Sequence, residues 1–246
     1  MNDVGPGAVA PTTNHQPPTT PPASAGGFIE PFPTLVTPQP GGPHDPLGES
    51  ILDQAQPWLR LFEPGDVRLV LGRNQDPNRE LIVAHAQADG VPIHRRVAGG
   101  GAVVLAPGML VVAIRLQSTG YGTDCYFDLV NSALRPAVAA LAGIEPVCRG
   151  HGDLTLPGGD GQPRKILGAS LRQTSRLAYY LGVLMVADAV PQMERYLRAP
   201  SRQPDYRLDR GHRTFCTNLA MHGVSVAALR AVTHDFCSKI LSPHAR

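Results

Sequence analysis

Residues 95–104 read "RRVAGGGAVV": two arginines, then three consecutive glycines, then a β-branched run. Adjacent glycines lose more backbone entropy on ordering than any other residues. A fold that keeps three of them gains something from main chain without Cβ atoms. Such a loop can turn its amides outward and let phosphate or carboxylate oxygens approach the backbone. Arginine supplies a planar fork of donors for the same anions. The stretch is not a Walker A loop, because no Gly-Lys-Ser/Thr closes it. Nor is it a Rossmann fingerprint, because the GxGxxG spacing and the following helix are missing. A plain hairpin turn with two surface arginines is the other reading of these residues taken alone.

Working outward, "VPIHRR" (91–96) reads as a strand delivering the chain to the glycines, and "AVVL" (102–105) and "MLVVAIRL" (109–116) as a hairpin around Ala106-Pro107-Gly108. Upstream, "LGESILDQAQPWLRLF" (47–62) has Ile51, Leu52, Ala55 and Leu59 spaced for one helical face, shortened or kinked by Pro57. "VRLVLG" (67–72) is a buried strand, and "NRELIVAHAQADG" (78–90) a helix with Asn78 as N-cap and Gly90 as stop. Downstream, residues 123–143 form a helix capped by Thr123 or Asp124, ended by Gly143 and bent at Pro136. Short strands joined by a glycine turn cover 146–174, a further strand 177–186, a helix 189–200 and a last helix 225–241 capped by Ser225. Strands and helices mix without a βαβ rhythm, so the expected class is α+β: a mixed sheet packed with helices.

Residues 1–45 are a different material, Pro/Thr-rich and almost uncharged, and hold close to half of the 25 prolines. They lack the apolar surface to offset ordering, so we expect a disordered tail on a domain over 46–246. The 246-residue chain is 42% apolar and 17% charged, enough for a real core, and its net charge of +2 argues for neither nucleic acid nor a membrane surface. No apolar run reaches about 18 residues, so no membrane-spanning helix is expected. Cys125, Cys148, Cys216 and Cys237 form no CxxC pair and read as reduced thiols, two or three of them in the core. Without the basic-then-apolar pattern of a signal peptide at its start, the chain is placed in the cytoplasm.

A second candidate lies at "GHGDLTL" and "RKILGAS", which hold Asp153 and Lys165. Alone, each is a turn aspartate or a solvated lysine. With the glycine loop they form a set suited to activating a carboxylic acid with ATP. A lysine can hold a carboxylate and a phosphoryl oxygen together, and a carboxylate can carry Mg²⁺ or a ribose hydroxyl.

Here the chain resembles the lipoate–protein ligase family, in the superfamily that also holds biotin–protein ligases and octanoyltransferases. Gly72, Arg73, Asn74 and Gln75 match a G-R-N-Q stretch. Arg95, Arg96, Gly99, Gly100, Gly101, Ala102 and Val103 match R-R-x-S-G-G-G-A-V. Gly150, Asp153, Leu154, Lys165, Gly168 and Ala169 fit G-R-N-D-L and K-x-x-G-x-A in order. The late "LRAPSRQPDYRLDRGHRTFCTNL" is similar to a subset of ligase-like proteins with a Pro-rich arginine loop, and the resemblance runs from about residue 48 to 241.

The resemblance implies the mixed α/β catalytic domain of that superfamily. Lipoic or octanoic acid would be adenylated with ATP and Mg²⁺, then passed to a lysine of an apo lipoyl domain, of a 2-oxoacid dehydrogenase complex or the glycine-cleavage H protein. Lys165 would be catalytic, holding carbonyl and phosphate oxygens. Substrate and nucleotide would lie against Arg73, Asn74, Gln75, Arg95, Arg96, Gly99, Gly100, Gly101, Ala102, Val103, Asp153, Gly168 and Ala169. Arg95 or Arg96 would meet the phosphate, Asp153 the metal, and an apolar slot with Val103 and Leu184 the acyl tail.

The chain departs from the pattern at Ala98 for serine, at His151 and Gly152 for arginine and asparagine, and at Tyr180, Leu181, Gly182 and Val183 for H-H-G-T. No separate C-terminal accessory domain is expected. Octanoyltransferases of the superfamily instead pass the acyl group from a carrier protein through a cysteine thioester, without ATP. The place of their P-C-G motif reads "APSRQ" here, but Cys148 lies before Lys165 with Arg149 and His151 as neighbours that could lower its pKa. A buried strand cysteine is the other account of Cys148, and Cys216 reads as core. A third possibility is a non-catalytic lipoyl-domain binder. Arg195, Arg198, Arg202, Arg207, Arg210 and Arg213 would then be its docking face, unless they are only a solvated basic face.

Overall fold

The nine residues of Met109–Gln117 are almost continuously apolar, and the first six are fully buried. Such a strand needs cover on both faces, and the rest of the fold supplies it. The computed structural model describes residues 45, 47–120 and 122–245, so the expected tail lies outside the described residues apart from Asp45. In chain order the strands are β1 Leu59–Phe62, β2 Arg68–Leu71, β3 Ile93–Arg95, β4 Val103–Leu105, β5 Met109–Gln117, β6 Val147–Arg149, β7 Asp153–Pro157, β8 Pro163–Gln173 and β9 Leu177–Met185. The helices are α1 Pro77–Glu80, α2 Val83–Ala88, α3 Asp124–Ala142, α4 Val190–Tyr196, α5 His212–Phe215 and α6 Val226–Leu241. The large sheet runs β1-β5-β9-β8-β7-β6, antiparallel throughout, and a small sheet runs β3-β2-β4 with β2 parallel to β3. This is the expected α+β class.

Period-two alternation assigns the two faces of the large sheet. Leu110, Val112 and Ile114 of β5 and Ala178, Tyr180 and Leu184 of β9 pack against α3 and α6. Val111 and Ala113 of β5 and Tyr179, Leu181 and Val183 of β9 pack toward Val70, Val103 and Leu105 of the small sheet. Helix α3 continues through Pro136 and stops at Gly143, in the left-handed region at φ 68°. The Ser225 hydroxyl accepts from Ala228 N at 3.2 Å, the cap expected for α6. No helix among the described residues is long and apolar enough to cross a membrane.

Local expectations fail where tertiary partners override spacing. The helix expected over 47–62 is a 3-10 turn, Glu49–Leu52, followed by β1. Gly48 sits at φ 70° with Ala113 Cβ 2.8 Å from where its own Cβ would lie. Asp45 accepts from Glu49 N and Ser50 N at 2.8 and 2.7 Å, closing one tight turn. Leu59–Phe62 then pairs with β5.

The helix expected over 78–90 is two, α1 and α2, and the N-cap of α1 is Asp76, whose carboxylate accepts from Asn78 N. Between them Leu81 is extended and bridged to Leu197, and Ile82 N donates to Tyr196 O at 2.8 Å. The same pairing ends α4 at Tyr196 rather than Pro200. Nor do β4 and β5 form a hairpin: β4 pairs with β2, and β5 with β1 and β9. The Ala106-Pro107-Gly108 corner moves the chain between sheets. Gly108, at φ 83°, accepts from Val186 N and Ala187 N, with Ala187 Cβ 2.4 Å from an added Cβ.

Candidate functional site

The parallel strands β2 and β3 both end in loops, and these loops interlock. Arg73 N donates to Ala98 O at 3.0 Å. A Cβ on Gly72 would lie 2.0 Å from Gly100 O, so only glycine allows the two loops this close. The arginines brace the pair. Arg95 Nη1 donates to the carbonyls of Gly72, Arg73 and Gln75 at 2.9–3.0 Å. Arg96 donates to Gly99 O through Nε and Nη2 and to Gly101 O through Nη2 at 2.8 Å.

Arg96 is 4% exposed, and burial pulls its guanidinium down to about 10, still charged at neutral pH. Its Nε and Nη2 turn inward and hold the loop's carbonyls, the place where a phosphate contact was expected of Arg95 or Arg96. Turning carbonyls inward leaves Gly99, Gly100 and Gly101 exposed above, with open space where Cβ atoms of Gly99 and Gly101 would lie. Arg73 and Asn74 are exposed beside them, and Gln75 accepts from Gly72 N.

Glu49 completes the brace, its Oε1 accepting from Val97 N at 2.8 Å. Burial, helped by the Asp45 charge, raises its carboxyl above its ordinary value against the opposing Val97 bond and the Arg172 and Arg96 charges. The folded state therefore binds this proton more tightly than the unfolded chain does. That contribution is present below the ordinary carboxylate range and is lost as pH rises through the folded value. Glu49→Gln keeps the acceptor without the titration. Urea unfolding at about pH 4 and about pH 7 should show wild type losing stability relative to the variant as pH rises.

Lys165 and Asp153 meet across β7 and β8. The register shifts so that Thr155 pairs with Lys165 and Leu154 with Leu167, leaving Ile166 as an extra residue on β8. Ile166 and Leu167 both enter the helix-side core. The bulge thereby puts Lys165 and Gly168 on the same face. Lys165 Nζ lies 2.8 Å from Asp153 Oδ1. A Cβ on Gly168 would sit 2.8 Å from Lys165 Cε and 2.9 Å from Nζ, so the missing side chain is the lysine's seat. Tyr206 donates its hydroxyl to Asp153 Oδ2 at 2.7 Å.

Two residues along β8, Ser170 Cβ lies 3.6 Å from where a Gly100 Cβ would be. The glycine loop and the Lys165 cluster thus share one face of β8. Leu181 and Val183, paired with Ser170 and Gly168 on β9, floor that face beneath Val103.

Other expected residues lie elsewhere. Ala169 points to the opposite, helix-side face and packs in the core, as does Leu184. Alternation turns Leu184, expected to line the acyl slot, away from the face that Gly168 and Ser170 share. Ala102 packs with Leu69 and Met109. Tyr180 stands edge-on to Phe127 at 6.1 Å inside the helix-side core. Cys216 is buried and bridged to Lys165, and Thr217 N donates to Lys165 O. Cys148 is exposed on β6, not buried, and partial desolvation raises its thiol in spite of Arg135. His151 lies against Asp124 instead of activating it.

Of the late arginines, Arg195, Arg198, Arg202 and Arg213 are exposed, Arg210 is half-buried and Arg207 is buried. Arg195 pairs with Asp89 and Arg213 with Glu194. Arg198 donates to Leu81 O. Arg207 and Arg210 lie over the Phe215 ring at 4.6 and 5.2 Å. Among the described residues no three His, Cys, Asp or Glu side chains gather as a metal cage, and both Asp153 oxygens are engaged. Glu49 and Tyr206 carry no local signal in the sequence, since their partners lie 48 and 53 residues away.

Residues 47–239 match the model of the lipoyl protein ligase A/B catalytic domain. A curated relative, lipoate-protein ligase A of Blochmanniella pennsylvanica, is 26% identical over 139 residues, 56% of this chain and 38% of that protein. The match thus spans well under half of the relative's length. Among solved structures, a bipartite lipoate protein ligase of Thermoplasma acidophilum, studied with its E2 lipoyl domain, superposes with a TM-score of 0.67 at 19% identity. It covers 78% of this chain and 76% of that one. A lipoate-protein ligase A bound with ATP gives 0.63 at 19% identity, covering 78% and 77%. At that identity the likeness concerns the fold.

Proposed function

Because the chain belongs to the lipoyl protein ligase A/B catalytic-domain family, we propose that it activates lipoic or octanoic acid with ATP and transfers the acyl group to a lipoyl-domain lysine. The observation that carries the proposal is Lys165, seated in the Gly168 notch and held by Asp153, on the β8 face that the exposed glycines cover. In the first step a substrate carboxylate oxygen attacks the α-phosphorus of ATP and the bond to pyrophosphate breaks. In the second the acceptor amine attacks the acyl carbon, the bond to the AMP oxygen breaks, and the amine proton leaves to solvent.

Lys165 supplies a fixed cation where both steps concentrate negative charge, and the exposed backbone of Gly99–Gly101, with Arg73, Asn74 and Gln75, surrounds the phosphate. Arg95 acts by shaping that loop. The acyl chain lies along Val103, Leu181 and Val183. Mg²⁺ enters with the triphosphate as part of the substrate, since both Asp153 oxygens are already engaged by Lys165 and Tyr206. The acceptors are lipoyl domains of 2-oxoacid dehydrogenase complexes or the glycine-cleavage H protein, in the cytoplasm. Residues 46–246 are the catalytic unit and 1–45 an appendage.

The thioester route is disfavoured by Cys148, whose thiol is pushed toward the protonated form, and by Cys216, likewise raised by burial. Cys148→Ala should leave acyl transfer within about twofold of wild type, as for an ordinary surface substitution. The reading is tested by lipoate-dependent exchange of labelled pyrophosphate into ATP. Exchange that needs lipoate supports it. Transfer only from octanoyl-acyl carrier protein, lost in Cys148→Ala, would replace it.

A further inference from the structure

The arginine-rich segment after α4 has no role in the chemistry above, yet it is built with care. Leu208 and Asp209 both adopt positive φ, 52° and 56°, a conformation disfavoured for leucine and better tolerated by aspartate. Gln203 ties the turn by bonding both the amide and the carboxylate of Asp209. The turn brings Arg207 and Arg210 back over one ring, Phe215. Arg210 then fixes the main chain, donating to Tyr206 O at 2.8 Å and to Pro163 O at 3.0 Å at the start of β8.

What this assembly presents is one hydroxyl. The Tyr206 ring packs on Phe215, with centroids 5.2 Å apart, among apolar neighbours that phenylalanine would suit equally. Its Oη reaches Asp153 Oδ2 at 2.7 Å, while Oδ1 of the same carboxylate holds Lys165 Nζ at 2.8 Å. Burial and the Asp153 charge keep the phenol protonated, so it is the donor. A carboxylate gripped at one oxygen cannot swing about its Cβ–Cγ bond, and its other oxygen holds one direction.

We propose that Tyr206 is a positioning residue for Lys165, acting through Asp153, and that the 203–213 segment exists to place its hydroxyl. The proposal rests on the catalytic role given to Lys165 above.

Its test separates the two. The chain has only two lysines, Lys165 and the exposed Lys239, so acetic anhydride labelling read by peptide mass spectrometry yields one ratio without any turnover. Tyr206→Phe should raise the Lys165/Lys239 labelling ratio severalfold. It should also lower kcat by about tenfold, the scale of one hydrogen bond to an ionised group, with KM for lipoate little changed. In an Asp153→Ala background the same change should add nothing to either readout. An unchanged labelling ratio in Tyr206→Phe, or a loss that adds fully to that of Asp153→Ala, overturns the proposal. A raised ratio in a protein whose wild type forms no adenylate would leave the positioning role standing and remove the ligase reading.

Discussion

Lys165→Ala should lower kcat/KM for acyl transfer by about a hundredfold to a thousandfold, the loss that follows removal of one preorganised charge-stabilising donor. The proposed chemistry uses no protein nucleophile, so in it stabilisation of the oxyanions is the main contribution left to the side chains. Lys165 is the cation whose place on this face is fixed from two sides, by the Gly168 notch and by Asp153. Lys165→Arg should rescue little. A guanidinium is broader than an ammonium, and the notch already brings Nζ within 2.9 Å of a virtual Cβ. Single-turnover adenylate formation with circular dichroism on each variant decides the matter. A folded Lys165→Ala protein keeping a tenth of its activity would remove the lysine from the mechanism.

The second large effect concerns the loop itself. Gly100→Ala must hold φ near 94° and place a methyl 2.8 Å from Arg96 Nη2. Backbone strain and disturbance of a buried guanidinium that holds two loop carbonyls together should cost about 3 kcal/mol. Gly72→Ala meets Gly100 O at 2.0 Å and should cost at least as much, because backbone must move. Gly99→Ala and Gly101→Ala meet nothing within 4 Å. They should change stability by less than about 1 kcal/mol, yet weaken ATP binding by filling the surface that faces the phosphate. Thermal unfolding and nucleotide titration on the four variants separate loop architecture from ligand contact. Equal stability losses at all four would contradict this division.

Much of this was legible in the sequence, for reasons that can be named. Strands β5 and β9 declared themselves because both faces are covered and their apolar runs are nearly unbroken. Helix α6 did so because its cap, Ser225, is local. The triple glycine and the Lys165–Gly168 spacing were legible as motifs because both are short-range patterns, and the structure brings them to one face of β8. What failed was decided at long range. The spacing of Ile51, Leu52, Ala55 and Leu59 suits a helix, but pairing of Leu59–Phe62 with β5 prevails. Arg95 and Arg96 looked like ligands for an anion, and their actual acceptors are carbonyls of the loops they precede. Of the six late arginines four are at the surface as expected, while Arg207 turns inward and lies with Arg210 over the Phe215 ring. Ala169 was misplaced for a smaller reason: strand alternation turns it from the face that Gly168 and Ser170 share.

The most direct test of the whole account is the intact mass of an apo lipoyl domain after incubation with this protein, ATP, Mg²⁺ and lipoate. The account predicts a gain of one lipoyl group on the acceptor lysine, dependent on ATP and lost with Lys165→Ala. An unmodified domain in that mixture, with acylation only when octanoyl-acyl carrier protein replaces ATP and lipoate, would contradict it.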